Sequence, residues 1–255
     1  MPDPITHSQA MRFNRQIVLP QFDLAGQEAL ANARVLVFGV GGLGNAAAMS
    51  LVTSGLGAIT LVDPDVVDEH NLPRQWLFSE AQVGQHKVEA AFDSLHARNR
   101  HCEIRTIAQT LGDNDIQTLL NEHDLVLDCT DNFSAREQIC RLTYRAGLPL
   151  VSGAAIRFEG QLFVASPTGG SSCYGCLSQL FEAPALSCTE AGILSPVVSI
   201  IGLQQALLAI KLITNLGEVS AGSLVTFDGL SQQWHTFDVP KQGKCPVCSP
   251  SSTKS

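Results

Sequence analysis

The sequence predicts an α/β chain whose mixed sheet begins with parallel βαβ units, ends in antiparallel strands and carries a tetracysteine zinc site. Three observations predict it. Arg34 to Asp63 reads as strand, glycine loop, helix and second strand ending in an acid. Strand signals crowd the second half of the chain around one long apolar helix. Two C-x-x-C pairs, far apart, supply four thiols.

Composition sets the frame. With 255 residues, 45% of them hydrophobic, the chain can fill the core of one large domain. We read 1–255 as a single domain, with 1–33 an N-terminal arm and helix and 240–255 a metal-pinned tail. A formal charge of −8 and no local basic patch argue against nucleic-acid or membrane-surface binding. No apolar run reaches about 18 residues, and the N-terminus lacks the basic start and apolar core of a signal peptide, so a cytoplasmic protein is expected. Eight cysteines in such a protein read as thiols or metal ligands rather than disulfides.

The elements follow in order. RFNRQIVL, from Arg12, sets Arg12 and Arg15 ahead of an apolar patch, and Gly26 to Ala33 has the composition of a short helix. Val35 to Phe38 is an apolar strand, and Gly39, Gly41 and Gly44, with Gly42 between, give the G-x-G-x-x-G spacing. A helix from Ala46 would turn its unpaired N–H groups toward an anion. Asp63, 19 positions after Gly44, ends the next strand where a carboxylate can accept ribose hydroxyls. This is a Rossmann-like unit, and it fits a dinucleotide or ATP. It is not a P-loop, because Asn45 and Ala46 stand where Lys and Ser/Thr are needed. If the ligand is ATP, the cations must come from elsewhere.

Pro64 to Ser79 is an irregular stretch too apolar for a plain turn and supplies Arg74; Val83 to Asn99 reads as a helix with Lys87 in its first turn. His101 to Ile107 alternates as a strand, Asn114 to Asn121 suggests a helix, and Leu125 to Asp128 is a buried strand ending in acids. Asp131, just past that strand, could hold Mg²⁺ or cap the helix Phe133 to Ala146. Strands then follow at Leu150 to Ala155, Gln161 to Ala165, Leu224 to Phe227 and Gln233 to Phe237, around the apolar helix Pro196 to Leu212, which is expected to be buried.

Cys173 and Cys176 form one C-x-x-C and Cys245 and Cys248 the other, a set that suits tetrahedral Zn²⁺. The 68 residues between them exceed the roughly 15 to 20 of a local zinc ribbon, so the metal would staple the tail to the body. Cys188 has no partner at metal spacing and reads as a nucleophile, a persulfide carrier or a plain thiol. Cys102, Cys129 and Cys140 are expected in the core.

Taken together, RFNRQIVL, GVGGLG, NLPRQ, GQHK, LDCTDN, VSGAAIRFEGQ, CYGCLSQLF, SCTEAGI, QQALLAIK and CPVC follow the order and spacing of the MoeB/ThiF/HesA family, bacterial relatives of the ubiquitin-activating enzymes. The resemblance covers nearly the whole chain. It implies an adenylyltransferase that uses ATP to activate the C-terminal glycine of a small ubiquitin-fold sulfur carrier ending in Gly-Gly, that of molybdopterin synthesis ahead of the thiamine carrier. By match to the family motifs, Asp63 would hold the ribose and Asp131 the Mg²⁺; Asn71, Arg74 and Lys87 would surround the phosphates. Arg15 would reach into the partner's site across a homodimer interface. Because the sequence stops soon after Cys248, a separate sulfur donor protein is expected.

Two residues depart from the family pattern: Asn45 stands where relatives often carry a small residue, and Pro73 precedes Arg74, biasing Leu72 toward extended backbone. Two other functions compete, an NAD-dependent oxidoreductase on the same glycine loop and a non-catalytic scaffold. No acid/base constellation for hydride transfer is evident, and the presence of Arg15, Arg74, Lys87 and Asp131 speaks against a scaffold.

Overall fold

The computed structural model describes residues 4–167, 170–180 and 191–249, so Cys188 and most of the Ser-rich tail lie outside the described residues. Three short helices, α1 (His7–Arg12), α2 (Asn14–Ile17) and α3 (Asp23–Asn32), lead into strand β1 (Arg34–Phe38). After it come α4 (Gly42–Thr53), β2 (Ala58–Val62), α5 (Lys87–Arg98), β3 (Glu103–Ile107), α6 (Asp113–Leu120), β4 (Leu125–Asp128), α7 (Phe133–Ala146) and β5 (Leu150–Ile156). The chain closes with β6 (Glu159–Ala165), α8 (Tyr174–Ser178), α9 (Ser195–Thr214), β7 (Ser223–Asp228) and β8 (Gln233–Asp238).

All eight strands form one sheet in the order β3-β2-β1-β4-β5-β6-β7-β8. β3, β2, β1, β4 and β5 run parallel, and β5 to β8 pair antiparallel. The apolar run of β1 is what a strand covered on both faces requires. Its side chains alternate: Val35 and Val37 enter one core, while Leu36 and Phe38 enter the other. The first core is closed by α3, α4, α5 and α9, the second by α6, α7 and the cysteine-rich segment. Strand order reverses direction between β1 and β4, and a crevice opens at the carboxyl ends of strands at such a point.

Several boundaries differ from the sequence expectation, each for a local reason. Helix α4 begins at Gly42 rather than Ala46, so the glycine loop itself forms its first turn. Helix α5 begins at Lys87 rather than near Val83: Gly84 takes a φ of 87°, and His86 forms a bridge with Val66. Leu72 is right-handed helical (φ −53°, ψ −38°) in spite of Pro73. Here the hydrogen bonds Leu72 N–H to Glu69 O and Arg74 N–H to Asn71 O continue a 3-10 turn and override the local bias. Helix α9 is long and apolar enough to cross a membrane by length and composition. It packs on α4 and β5 instead. Only one face of it is buried; Leu203 and Leu207, one turn apart, are 46% and 47% exposed.

Candidate functional site

At the end of β1 the chain turns sharply. Gly39 has a φ of 86°, a region that L side chains rarely adopt, and a Cβ there would lie 2.7 Å from the Cys129 carbonyl oxygen. Gly44 has no room either, since its Cβ would meet Gly39 O at 2.0 Å. The fold itself requires these two glycines. Gly41 differs, because a Cβ there would meet only Gln75 Nε2, at 3.8 Å. It caps α4, whose first N–H groups have no intrahelical partner and face the crevice with the positive end of the helix dipole.

Asn45 ties this loop to the segment that follows β2. Its side chain is 2% exposed; Nδ2 donates to Val40 O (2.7 Å) and Oδ1 accepts from Leu77 N–H (2.7 Å). The residue that departs from the family pattern is therefore a clamp between the glycine loop and the stretch carrying Arg74.

Asp63 closes the second side. Its carboxylate accepts from Val40 N–H (2.6 Å) and Asp65 N–H (2.9 Å). Burial pushes its pKa up, against the opposing pull of the Lys87 charge and of those two N–H donors. Lys87, at the start of α5, puts Nζ 2.7 Å from Asp65 Oδ2. Arg74 donates from Nη1 to His70 O (2.7 Å), and buried Asn71 accepts from Asp68 N–H (3.2 Å).

The third side is the end of β4. Asp128 is buried and accepts from Thr130 Oγ1 (2.7 Å) and Ser152 Oγ (2.9 Å), which turns it into a brace for the strand ends. Asp131 is exposed on the crevice, and its carboxylate has no hydrogen-bond or ion-pair partner among the described residues. The helix-capping role expected of it falls to Asn132, whose Oδ1 accepts from Ala135 N–H (2.8 Å). Arg136, on the first turns of α7, donates to Thr130 O.

These sides enclose a cavity of about 680 Å³. Gly39, Gly41, Gly42, Asp63, Asn71, Arg74, Lys87 and Asp131 all line it, from four separate segments of sequence. Gly44 lies behind the loop, in its packing, and Arg15 is exposed on α2 away from the cavity. Sequence reasoning missed Asp65, Gln75 and Arg136, which also line it. Gln75 is the odd one: it is 3% exposed, and Oε1 is buried without a partner. An orphaned buried acceptor costs roughly 1–3 kcal/mol. Neighbouring Cys129 is fully packed and bonded to Gln205 Oε1 (3.4 Å); burial pushes its thiol up, as expected for an inert core cysteine.

The four cysteines meet in the second core, beside α7 and α8. Sγ atoms of Cys173, Cys176, Cys245 and Cys248 all lie within 4.8 Å of one another and are buried. Tetrahedral zinc with Zn–S of about 2.3 Å needs sulfurs roughly 3.8 Å apart, so the set can hold zinc. Gln242 N–H points at Cys176 Sγ (3.3 Å) and Val247 N–H at Cys245 Sγ (3.4 Å), donors that suit thiolate ligands. Cys102 and Cys140 are buried in the core as expected, with Cys102 pushed up to about 12 by burial.

A model of the ThiF family matches residues 13–247. The molybdopterin-synthase adenylyltransferase of Escherichia coli (strain K12) is 45% identical over 244 residues, covering 96% of this chain and 98% of its own. The sulfur carrier protein ThiS adenylyltransferase of the same organism is 37% identical over 242 residues, covering 95% of this chain and 96% of its own. Among solved structures, E. coli MccB with MccA-N7isoASN superposes with a TM-score of 0.80 at 25% identity, over 93% of this chain and 74% of that one.

Proposed function

The chain belongs to the ThiF family, and from that premise we propose that it is an ATP-dependent adenylyltransferase acting on the C-terminal glycine of a ubiquitin-fold sulfur carrier ending in Gly-Gly. The observation that carries this reading is the convergence of Asn71, Arg74, Lys87 and Asp131 on a glycine loop that lacks a lysine of its own. A dinucleotide site would need none of them. Higher identity to the molybdopterin-synthase enzyme (45%) than to the ThiS enzyme (37%) favours the carrier of molybdopterin synthesis.

In the reaction, a carboxylate oxygen of the carrier's terminal glycine attacks the α-phosphorus. The new P–O bond gives acyl-adenylate, and the bond to the β-phosphate breaks to release pyrophosphate. Attacker and target are both negative, so the site must cancel repulsion and stabilise charge building on the phosphate and the leaving group. Asp63 accepts the ribose hydroxyls, while Asn71, Arg74 and Lys87 surround the phosphates. Asp131, on the crevice wall with no partner among the described residues, is the carboxylate that would hold Mg²⁺, whose charge would help to neutralise the departing pyrophosphate. No covalent enzyme intermediate is needed for this step.

A second copy completes the assembly in this reading. Exposed Leu203 and Leu207 on α9, with Leu24 (46% exposed) on α3, offer an apolar face for a homodimer, through which Arg15 would reach the partner's phosphates. A separate sulfur donor protein and a cytoplasmic setting belong to the same reading; the seven cysteines among the described residues are buried, four of them in one cluster. Zinc at the tetracysteine cluster would pin the C-terminal segment to the body, outside the reacting centre. The test is ATP–pyrophosphate exchange against a panel of purified sulfur carriers. Stimulation by the molybdopterin-synthesis carrier is expected; no stimulation by any carrier, with micromolar NAD(H) binding, would overturn the reading.

A further inference from the structure

Gln75 lies in the wall of the nucleotide cavity beside the glycine loop, 3% exposed, on a segment where other polar groups have partners. Arg74 is bonded to His70 O, Leu77 N–H to Asn45, and Phe78 N–H to the Gln75 carbonyl (3.1 Å). The buried Gln75 carboxamide has none: Oε1 is orphaned, and Nε2 makes no hydrogen bond among the described residues. A residue kept for stability at such a place would be apolar, or would have its bonds made. The second observation is where the amide lies. Nε2 is the only atom near the open side of Gly41, 3.8 Å from the point where a Cβ would stand, and Gly41 caps the 12-residue helix α4. An anion drawn to the unpaired N–H groups of that helix end would come to rest against this amide.

Resting on the adenylyltransferase reading, we propose that Gln75 is a phosphate-contacting residue of the site: its Nε2 donates to an oxygen of the nucleotide phosphate seated on the N-terminus of α4. A neutral donor at that point positions the phosphate without adding a further charge to the site. It complements the cations Arg74 and Lys87, which line the same cavity.

Two near-isosteric variants of the full chain, Gln75→Met and Gln75→Glu, separate this from a structural role. ATP and adenosine binding are measured by calorimetry, with thermal melting of the unliganded proteins. For Gln75→Met the expected result is an unliganded Tm equal to or above wild type, because the orphaned acceptor is gone. ATP binding should weaken at least tenfold and adenosine binding change less than twofold. For Gln75→Glu, which sets a carboxylate against the phosphate, the ATP loss should exceed that of the methionine variant, again with adenosine spared. ATP affinity within twofold of wild type in the glutamate variant, or equal losses for ATP and adenosine in both, would overturn the proposal. Failure of wild-type protein to bind ATP would overturn the adenylyltransferase reading itself, and this proposal with it.

Discussion

Replacing Asn45 with alanine removes two hydrogen bonds of 2.7 Å, to Val40 O and from Leu77 N–H. Both partners belong to buried residues, Val40 at 0% and Leu77 at 2% exposure, so water cannot take over the lost contacts. Each orphaned backbone group costs roughly 1–3 kcal/mol, and a mid-range sum is about 3–4 kcal/mol. For a chain of this size about 1 kcal/mol corresponds to roughly 2–4 °C, so the melting temperature should fall by about 6–16 °C. Circular dichroism melting at fixed protein concentration measures it. The clamp also positions the segment carrying Arg74 and Gln75, so ATP affinity of the still-folded variant should drop by at least several-fold. A melting temperature within 2 °C of wild type would refute the reasoning, since two buried bonds cannot vanish without a stability cost.

Other outcomes follow from the same geometry. Arg74→Ala and Asp131→Ala should each lower adenylation by roughly 10² or more, as loss of a key electrostatic contact does; near wild-type pyrophosphate exchange in either variant would remove that residue from the site. If the tetracysteine cluster holds zinc, stripping metal with a strong chelator should make the segment after β8 protease-sensitive before nucleotide binding is lost, because the ion would join 173–176 to 245–248. Simultaneous loss of both would count against a purely structural cluster. The raised pKa of Asp63 fixes a sign: between the ordinary 3.8 and the folded value, the folded chain holds a proton that the unfolded chain has lost. Its contribution is therefore fully present below pH 3.8 and is lost as pH rises through the folded pKa. Asp63→Asn should flatten that part of the stability profile, read as ΔTm against pH; an unchanged profile would deny the burial effect.

The parallel half of the sheet was legible because its signals are local. Continuous apolar strands, Gly39 at positive φ and an acid closing β2 sit within 30 residues of one another. Arg74, Lys87 and Asp131 stood out as candidates in their own segments, but only motif order joined them into one site, since nothing in each neighbourhood says that four segments converge. What escaped depends on tertiary bonds. Leu72 follows the 3-10 turn rather than Pro73, and Asn132, not Asp131, caps α7 because its side chain reaches Ala135 N–H. The half-exposed apolar face of α9 escaped as well, since a helix polar at only a few positions reads as buried on all sides. Asn45 looked like a departure and is a clamp, a role set by Leu77, 32 positions later.

The charge arrangement explains how the loop can do without its own lysine. The Lys87 side chain is 9% exposed and its Asp65 partner 64%, so a buried cation is held by a wet anion. A buried ammonium left alone would carry a heavy desolvation cost, whereas an exposed carboxylate returns to water at little cost. Asp65 holds the Lys87 side chain at the cavity wall, and on the proposed function a phosphate takes its place. Arg74 is held more lightly, by one carbonyl, and can turn to a phosphate by giving up a single neutral acceptor. Nucleotide binding on this reading is an exchange of partners around cations already in place, with little new charge to bury. An in-loop lysine would have to be neutralised by the loop itself, beside Asp63, whose carboxylate is already committed to Val40 and Asp65 N–H groups. On this reading, moving the cations to the 64–79 segment and to α5 leaves the end of α4 to meet the phosphate through neutral donors, its backbone N–H groups and the Gln75 amide.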